Sequence, residues 1–264
     1  MIELIPSVKL SMWRKDDPDH DKSDDAFAII KPKVYTRDRM ICQGCGMKTL
    51  PSDVLPSGHF DVHHIDDDHD NNNMDNLALI CPYCHDVFHI GNAGARGAGS
   101  AIWLPQISQA DLNLSMHILT ILMIRGENAE KELKAIEAGP TPGNAEVMRL
   151  LAQDRDVGAK CADNYKSIKD SAYRDEIEKR LAPGMSDLRQ LGEALAWMGH
   201  RNRYTYSQRK KFLYGVRIVP DFDHYRDKIK HFAEASNYNR TGASQIVAAE
   251  TMSSIWTQWK TRSA

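Results

Sequence analysis

The chain has 264 residues, 42% hydrophobic, 27% charged and 8% aromatic, with 34 Lys and Arg against 36 Asp and Glu. Such a composition excludes a wholly disordered or fibrous protein, and no run approaches the roughly 18 apolar residues of a membrane span. Residues 1–100 carry 10 Lys and Arg against 16 Asp and Glu, whereas residues 101–264 carry 24 against 20. The first part cannot hold a polyanion by its net field and would need a local patch, a bound metal or a partner.

Taken in chain order, Ile2-Glu3-Leu4-Ile5 suggests a short strand, and Asp16-Asp17-Pro18-Asp19 with Ser23-Asp24-Asp25 suggests solvated loop. Residues 31–41 predict a short helix or strand leading into Cys42-x-x-Cys45, where Gly44 and Gly46 suit a tight turn. Phe60 to Ile65 alternates apolar and polar residues like a half-buried strand. Asp66 to Asn73 is a polar turn, read as solvated in preference to cation-binding. Asn76 to Ile80 leads into Cys81-x-x-Cys84, and Cys84 to Ile90 predicts the first turns of a helix.

Gly91 to Gly99 is rich in Gly and Ala and lacks the G-x-x-x-x-G-K-[ST] phosphate-loop pattern, so a flexible linker or tight turn is expected. From Ser108, an N-cap with Asp111 three residues on, the pattern turns helical through Leu112, Met116, Leu119 and Met123. Further helices are expected near 128–138, 144–181, 186–199, 221–235 and 244–260, divided at Gly139 to Gly143, Pro183-Gly184 and Pro220. Residues 1–100 are thus expected to form one domain and residues 101–264 an all-helical domain that docks a partner.

Four of the five cysteines form two C-x-x-C pairs separated by 35 residues. Four thiolates at this spacing suit zinc, and a closed four-sulfur tetrahedron leaves no open position, so a structural Zn²⁺ is expected on Cys42, Cys45, Cys81 and Cys84. Four unrelated thiols or an iron–sulfur cluster are the weaker alternatives. Cys161 stands alone and is expected to be a buried helical residue. The lack of a membrane span and of a leader pattern suggests a cytoplasmic setting, where five cysteines argue against disulfides. His85 and His89, at i and i+4, share one side of a helix, while His63 and His64 point to opposite faces of a strand. One of that pair is therefore able to bind metal while the other does something else.

The runs Val62-His63-His64-Ile65-Asp66, Asn71-Asn72, Asp75-Asn76-Leu77 and Cys81-Pro82-Tyr83-Cys84-His85 with His89 resemble the HNH nuclease family, whose fold is the ββα-metal motif. The resemblance covers about residues 35–90. It implies that His64 is the general base and that Asn76 braces the loop and orients it. It also implies that His63, His85 and His89 hold one divalent cation (Mg²⁺, Mn²⁺ or Zn²⁺) against a scissile phosphate of DNA. A second resemblance, over roughly residues 10–125, is to the IcmJ/DotN family of type IVB secretion and conjugation systems. It is carried by Trp13-Arg14-Lys15, Arg37-Asp38, Cys42-Gln43-Gly44-Cys45-Gly46 and Ile102 to Asn113. It implies a coupling-complex ATPase or other apparatus proteins as partners, at the cytoplasmic face of the membrane. Secretion-system members of that family have lost the active-site histidines; this chain keeps them.

Two functions follow. One is a metal-dependent endonuclease working with the DNA-transfer apparatus; the other is a catalytically idle, zinc-stapled adaptor of its coupling complex. Away from the motif, Arg201, Arg203, Arg209, Lys210 and Lys211 lie in an acid-free run with Tyr204, Tyr206, Phe212 and Tyr214. A solvated basic face with its aromatics in the core is the favoured reading, and nucleic-acid binding the alternative. Trp256 and Trp259 are expected to pack as core or cap a partner surface. The expected fold class is α+β: a zinc-knuckle ββα-metal domain followed by the helical one.

Overall fold

The computed structural model describes residues 1–9, 20–68, 70–140 and 143–234. Trp13-Arg14-Lys15, Asp16 to Asp19, His69, Trp256, Trp259 and the helix expected over 244–260 lie outside the described residues. Described elements run α1 (His20–Arg37), β1 (Asp61–His64), β2 (Leu77–Ile80), α2 (Pro82–Phe88), α3 (Ile90–Ala95), β3 (Gly99–Trp103), α4 (Gln109–Glu137), α5 (Ala145–Ile168), α6 (Ser171–Arg180), α7 (Leu188–Arg201), α8 (Arg203–Ser207), α9 (Arg209–Phe212), β4 (Val216–Pro220) and α10 (Phe222–Ala233). The α+β class holds. No described helix is long and apolar enough to cross a membrane.

β1 and β2 pair antiparallel, with His63 opposite Ala78 and His64 opposite Leu77. Every side chain of β2 is buried, and α2 begins straight after it with Pro82 in its first turn, where a missing N–H costs nothing. The expected strand at residues 2–5 is instead irregular. Its Ile2 amide donates to the Gln43 carbonyl at 2.8 Å, so it tethers the first knuckle without entering a sheet. Residues 20–37 resolve the helix-or-strand ambiguity as helix. The end of α1 is pinned to β2: Asp38 Oδ2 accepts the Leu79 amide at 2.8 Å, and Arg37 donates to Asp38 and to the Leu77 carbonyl at 2.6 Å.

The segment expected to be a linker or tight turn is helical over its first part, in α3, and turns at Arg96-Gly97 before β3. α3 packs on α7 through glycine, the one residue that lets two backbones touch. A Cβ on Gly94 would lie 2.2 Å from the Arg189 amide nitrogen, and one on Gly192 would lie 2.5 Å from the Gly91 Cα. β3 then pairs antiparallel with β4, from Gly99 opposite Pro220 to Trp103 opposite Val216. These two long-range contacts move the domain boundary. The chain divides into one unit of Met1–Leu114 with Arg174–Asp221 and another of Ser115–Tyr173 with the residues from Phe222 onward, not at residue 100. The C-terminal part is not wholly helical either, since β4 lies within it.

In the second unit the helix expected in two pieces at 108–123 and 128–138 is continuous in α4, and the one expected over 144–181 breaks. Asp170 accepts the Ala172 amide at 3.0 Å and starts α6 afresh. α4 and α5 cross at Gly126 and Gly158, where either added Cβ would meet the other glycine's Cα within 2.8 Å. Cys161 is buried on α5, as expected, and burial pushes its thiol up to about 11.

The seam between α3 and α7 makes a sharp prediction. Gly94→Ala should lower unfolding free energy by about 2 kcal/mol, because the clash is with backbone that cannot rotate away. Gly91→Ala, whose Cβ would find its nearest neighbours at 3.8 Å and beyond, should be neutral or stabilise by up to ~1 kcal/mol through helix propensity. Urea unfolding of the two variants checks this; equal effects would mean that the helices do not meet at this seam.

Candidate active site

The four predicted cysteines converge. Their sulfurs all lie within 4.8 Å of one another and are buried, and Cys45 Sγ is 3.7 Å from Cys81 Sγ. A tetrahedron with metal–sulfur bonds of about 2.3 Å has edges of ~3.8 Å, so the set fits a four-coordinate metal ion. The first knuckle is shaped by Gly46 at φ +79°, and by Gly44, where a Cβ would sit 2.9 Å from Cys84 Sγ. Cys42 Sγ accepts amides from Gly44 and Cys45 at 3.4 Å and from Cys81 at 3.2 Å. Burial pushes the Cys42 thiol up, but hydrogen bonds from Cys45, Cys81 and Cys84 bring it well below its usual value. Burial, followed by the neighbouring Cys42 and Cys45, pushes the Cys81 and Cys84 thiols up. Thiolates must be deprotonated to ligate a metal, so a bound cation would offset the cost that burial places on their charge.

Sequence reasoning missed the group that reaches this cluster from outside the two knuckles. Asn113 Nδ2 donates to Cys84 Sγ at 3.3 Å, and its own oxygen is held by Gln109 at 2.8 Å. Gln109 also bonds both the carbonyl and the amide of Ile218 on β4, at 2.9 and 2.7 Å. The Ser108-Gln109-Ala110-Asp111-Leu112-Asn113 run has its pattern because Gln109 completes the edge of β4 while Asn113 supports a thiol.

A second convergence lies on the other side of the same helix. His63 from β1 and His85 and His89 from the α2 region bring ligand nitrogens within 4.8 Å of one another. Ring centroids stand 5.7 Å apart from His63 to each of the others and 4.7 Å between His85 and His89. The His63 ring stacks on Phe88 at 4.3 Å. His89 is not inside the expected helix but at its end, with φ −127°. The N-terminal segment breaks the helix there: Ser7 takes the Val87 carbonyl through its amide and the Phe88 carbonyl through its hydroxyl, and its own carbonyl accepts the Ile90 amide. Asp61, also missed, places Oδ2 3.3 Å from His85 Nδ1. That contact leaves Nε2 as the nitrogen able to ligate. The signal was available, because Asp61 precedes His63 by two and so shares its face of β1.

His64 faces the opposite way, buried beneath Phe27 of α1 with ring centroids 4.7 Å apart. Its Nε2 lies 3.0 Å from Asn72 Oδ1. An amide oxygen only accepts, so this hydrogen bond belongs to the tautomer that carries its proton on Nε2. Asn76 does not contact the His64 ring through any bond described; it braces the loop. Its Oδ1 accepts the Asp66 amide at 3.1 Å, and its Nδ2 donates to Asp66 Oδ1 at 2.8 Å and to the Asn71 carbonyl at 2.9 Å. Burial slightly opposes ionisation of Asp66, but the Asp68 amide, Asn71 and Asn76 hold its carboxyl below the usual value. The acidic turn is therefore closed on itself, as a solvated turn should be.

The basic run departs from the favoured reading. Tyr206 alone among its aromatics is buried; Tyr204, Phe212 and Tyr214 are 76%, 51% and 66% exposed. Arg201, Arg203, Lys210 and Lys211 are exposed, while Arg209 is half-buried over the Tyr206 ring at 4.6 Å.

Residues 42–89 match the family described as HNH endonuclease. Over 220 residues, 81% of this chain and 83% of the other, the protein is 26% identical to the type 4 apparatus protein DotN of Legionella pneumophila. Over 44 residues it is 41% identical to the H-N-H endonuclease F-TflIV of Escherichia phage T5, covering 18% of that enzyme. Over 74 residues it is 35% identical to the HNH protein YajD of Salmonella typhimurium, covering 62% of it. The paired knuckles, the ββα order and the three converging histidines all fall within or beside the matched stretch: residues 42–89 match the HNH endonuclease family, within a chain that resembles DotN over most of its length.

Proposed function

We propose that the protein is an HNH-type metal-dependent endonuclease that hydrolyses phosphodiester bonds in DNA, in the cytoplasm, in association with a type IVB secretion or conjugative DNA-transfer apparatus. The observation that carries this reading is the meeting of the His63, His85 and His89 nitrogens within 4.8 Å on one face of β1, with His64 fixed on the other. In this reading Cys42, Cys45, Cys81 and Cys84 hold a structural Zn²⁺, and His63, His85 and His89 hold a divalent cation. That cation supplies charge relief at the scissile phosphate. His64 accepts a proton from the attacking water, with Asn72 fixing the tautomer and Asn76 holding the loop that carries Asn72. Asp61 orients His85.

A second reading, the idle adaptor of the coupling complex, is favoured by one feature. The His64 ring is only 3% exposed and lies against Phe27, so water reaches it only if the contact with α1 loosens. The DotN likeness supports association with the apparatus under either reading.

One experiment tests the zinc site that both readings share, and a second separates them. Elemental analysis of protein purified without added metal should give about one zinc per chain. Cys81→Ser should release it and unfold residues 42–89, because binding energy there is folding energy; stoichiometric iron with visible absorbance would overturn the zinc assignment. In a plasmid-nicking assay with Mg²⁺ or Mn²⁺, His64→Ala should lower cleavage by about 10²–10⁴-fold while zinc content and circular dichroism stay unchanged. Asn72→Ala should lower it less. Absence of metal-dependent nicking by the wild type would leave the adaptor reading standing.

A further inference from the structure

We propose that the segment from Arg203 to Tyr214 is a binding surface for single-stranded DNA. Tyr204, Phe212 and Tyr214 stack on unpaired bases, and Arg203 and Lys211 neutralise the phosphates between them. The proposal rests on the nuclease reading only for the identity of the polymer as DNA.

Exposure is the first argument. The run between Arg201 and Arg217 contains no acidic residue, and its exposed apolar side chains are all aromatic, since Leu213 and Val216 are buried. A protein-docking patch is enriched in aromatic side chains but depleted in Lys, and this one exposes Lys210 and Lys211 beside its rings. Aromatic faces set among exposed cations are instead the chemistry of a single-strand groove, because every base has a π-face to stack and every nucleotide a charge to neutralise. In a duplex the bases are stacked on one another and out of reach of such rings.

Rigidity is the second argument. Arg217, the last cation of the run, is half-buried and turned inward to the Val216 carbonyl at 2.7 Å. Arg209 packs on Tyr206, so the structural cations are distinct from the exposed ones. Tyr214 is set edge-on to Trp103 at 6.3 Å, and Arg180 covers Trp103 at 4.3 Å. Gly215, at φ +81°, makes room for that indole. A ring held as Tyr214 is loses little freedom on binding.

The third argument links the surface to the HNH domain. The buried Tyr206 hydroxyl donates to the Val8 carbonyl at 3.0 Å and accepts the Val8 amide at 2.9 Å. The neighbouring Ser7 is the residue that bonds Val87, Phe88 and Ile90 around His89. Lys210 pairs with Glu3 of the same segment at 2.6 Å. One short strand of chain thus fastens the basic, aromatic segment to the helix that carries the histidines. The acidic first hundred residues, unsuited to holding DNA by net charge, obtain their phosphate contacts from residues brought back by the fold.

The test is fluorescence anisotropy of wild-type protein with a labelled 20-nucleotide oligothymidylate and with a 20-base-pair duplex, at low salt without added divalent metal. The oligothymidylate is checked on a gel to be intact. It should bind more tightly than the duplex. Tyr204→Ala with Tyr214→Ala should weaken it about tenfold or more and leave the salt dependence unchanged. Arg203→Gln with Lys211→Gln should reduce the slope of log affinity against log salt by about 1.4, or ~0.7 per phosphate contact. Tyr204→Ala alone, at a side chain open to solvent, serves should the Tyr214 change disturb Trp103. No binding, equal or tighter duplex binding, or unchanged affinity in the tyrosine variants would overturn the proposal. Nicking without single-strand binding would sink this inference alone, and single-strand binding without nicking would sink the nuclease reading alone.

Discussion

Four thiols that must meet within 4.8 Å are the constraint on which the HNH domain depends. They come from a loop before β1 and from the junction of β2 with α2, so their convergence fixes where the hairpin ends and where the helix begins. Nothing else in a four-residue strand pair and a seven-residue helix could set those positions, since pieces this short bury too little apolar surface to be stable alone. The supporting bonds follow from the same need. Amides of Gly44, Cys45 and Cys81 point at one sulfur, and Asn113 reaches another from a helix 29 residues further along the chain.

The histidines inherit their geometry from this frame. With β1 held against β2, adjacent side chains must face opposite ways, which puts His63 toward α2 and His64 toward α1. The helix break at His89 then matters chemically. Had α2 continued, the Phe88 and Val87 carbonyls would have been satisfied within the helix; Ser7 satisfies them instead and frees the turn that carries His89. The N-terminal segment is thereby built into the candidate active site although none of its side chains is among the candidate ligands.

Two glycine seams explain how helices that read as independent come to pack. At Gly94 with Arg189 and at Gly192 with Gly91, backbone meets backbone, and the close approach lets β4 return to β3. This is why a segment more than 70 residues distant belongs to the first unit.

Local chemistry decided much of this protein in advance. The spacing of the cysteines, the alternation through Val62-His63-His64-Ile65 and the i, i+4 relation of His85 and His89 are properties of short stretches, and their meaning survives without knowing the fold. Asp61 was legible on the same rule but carried no motif. Tertiary structure alone decided the rest. The glycines of Gly91 to Gly99 lower helix propensity, and only a partner helix needing close approach makes the first five of those residues helical. Whether Tyr204, Phe212 and Tyr214 face core or solvent cannot be read from aromatic spacing, because either fate satisfies the pattern until β4 and the Val8 contact fix which side is covered. Asn72, Asn113 and Gln109 are amides in polar or helical sequence, and an amide's partner is set by what the fold places within 3 Å of it.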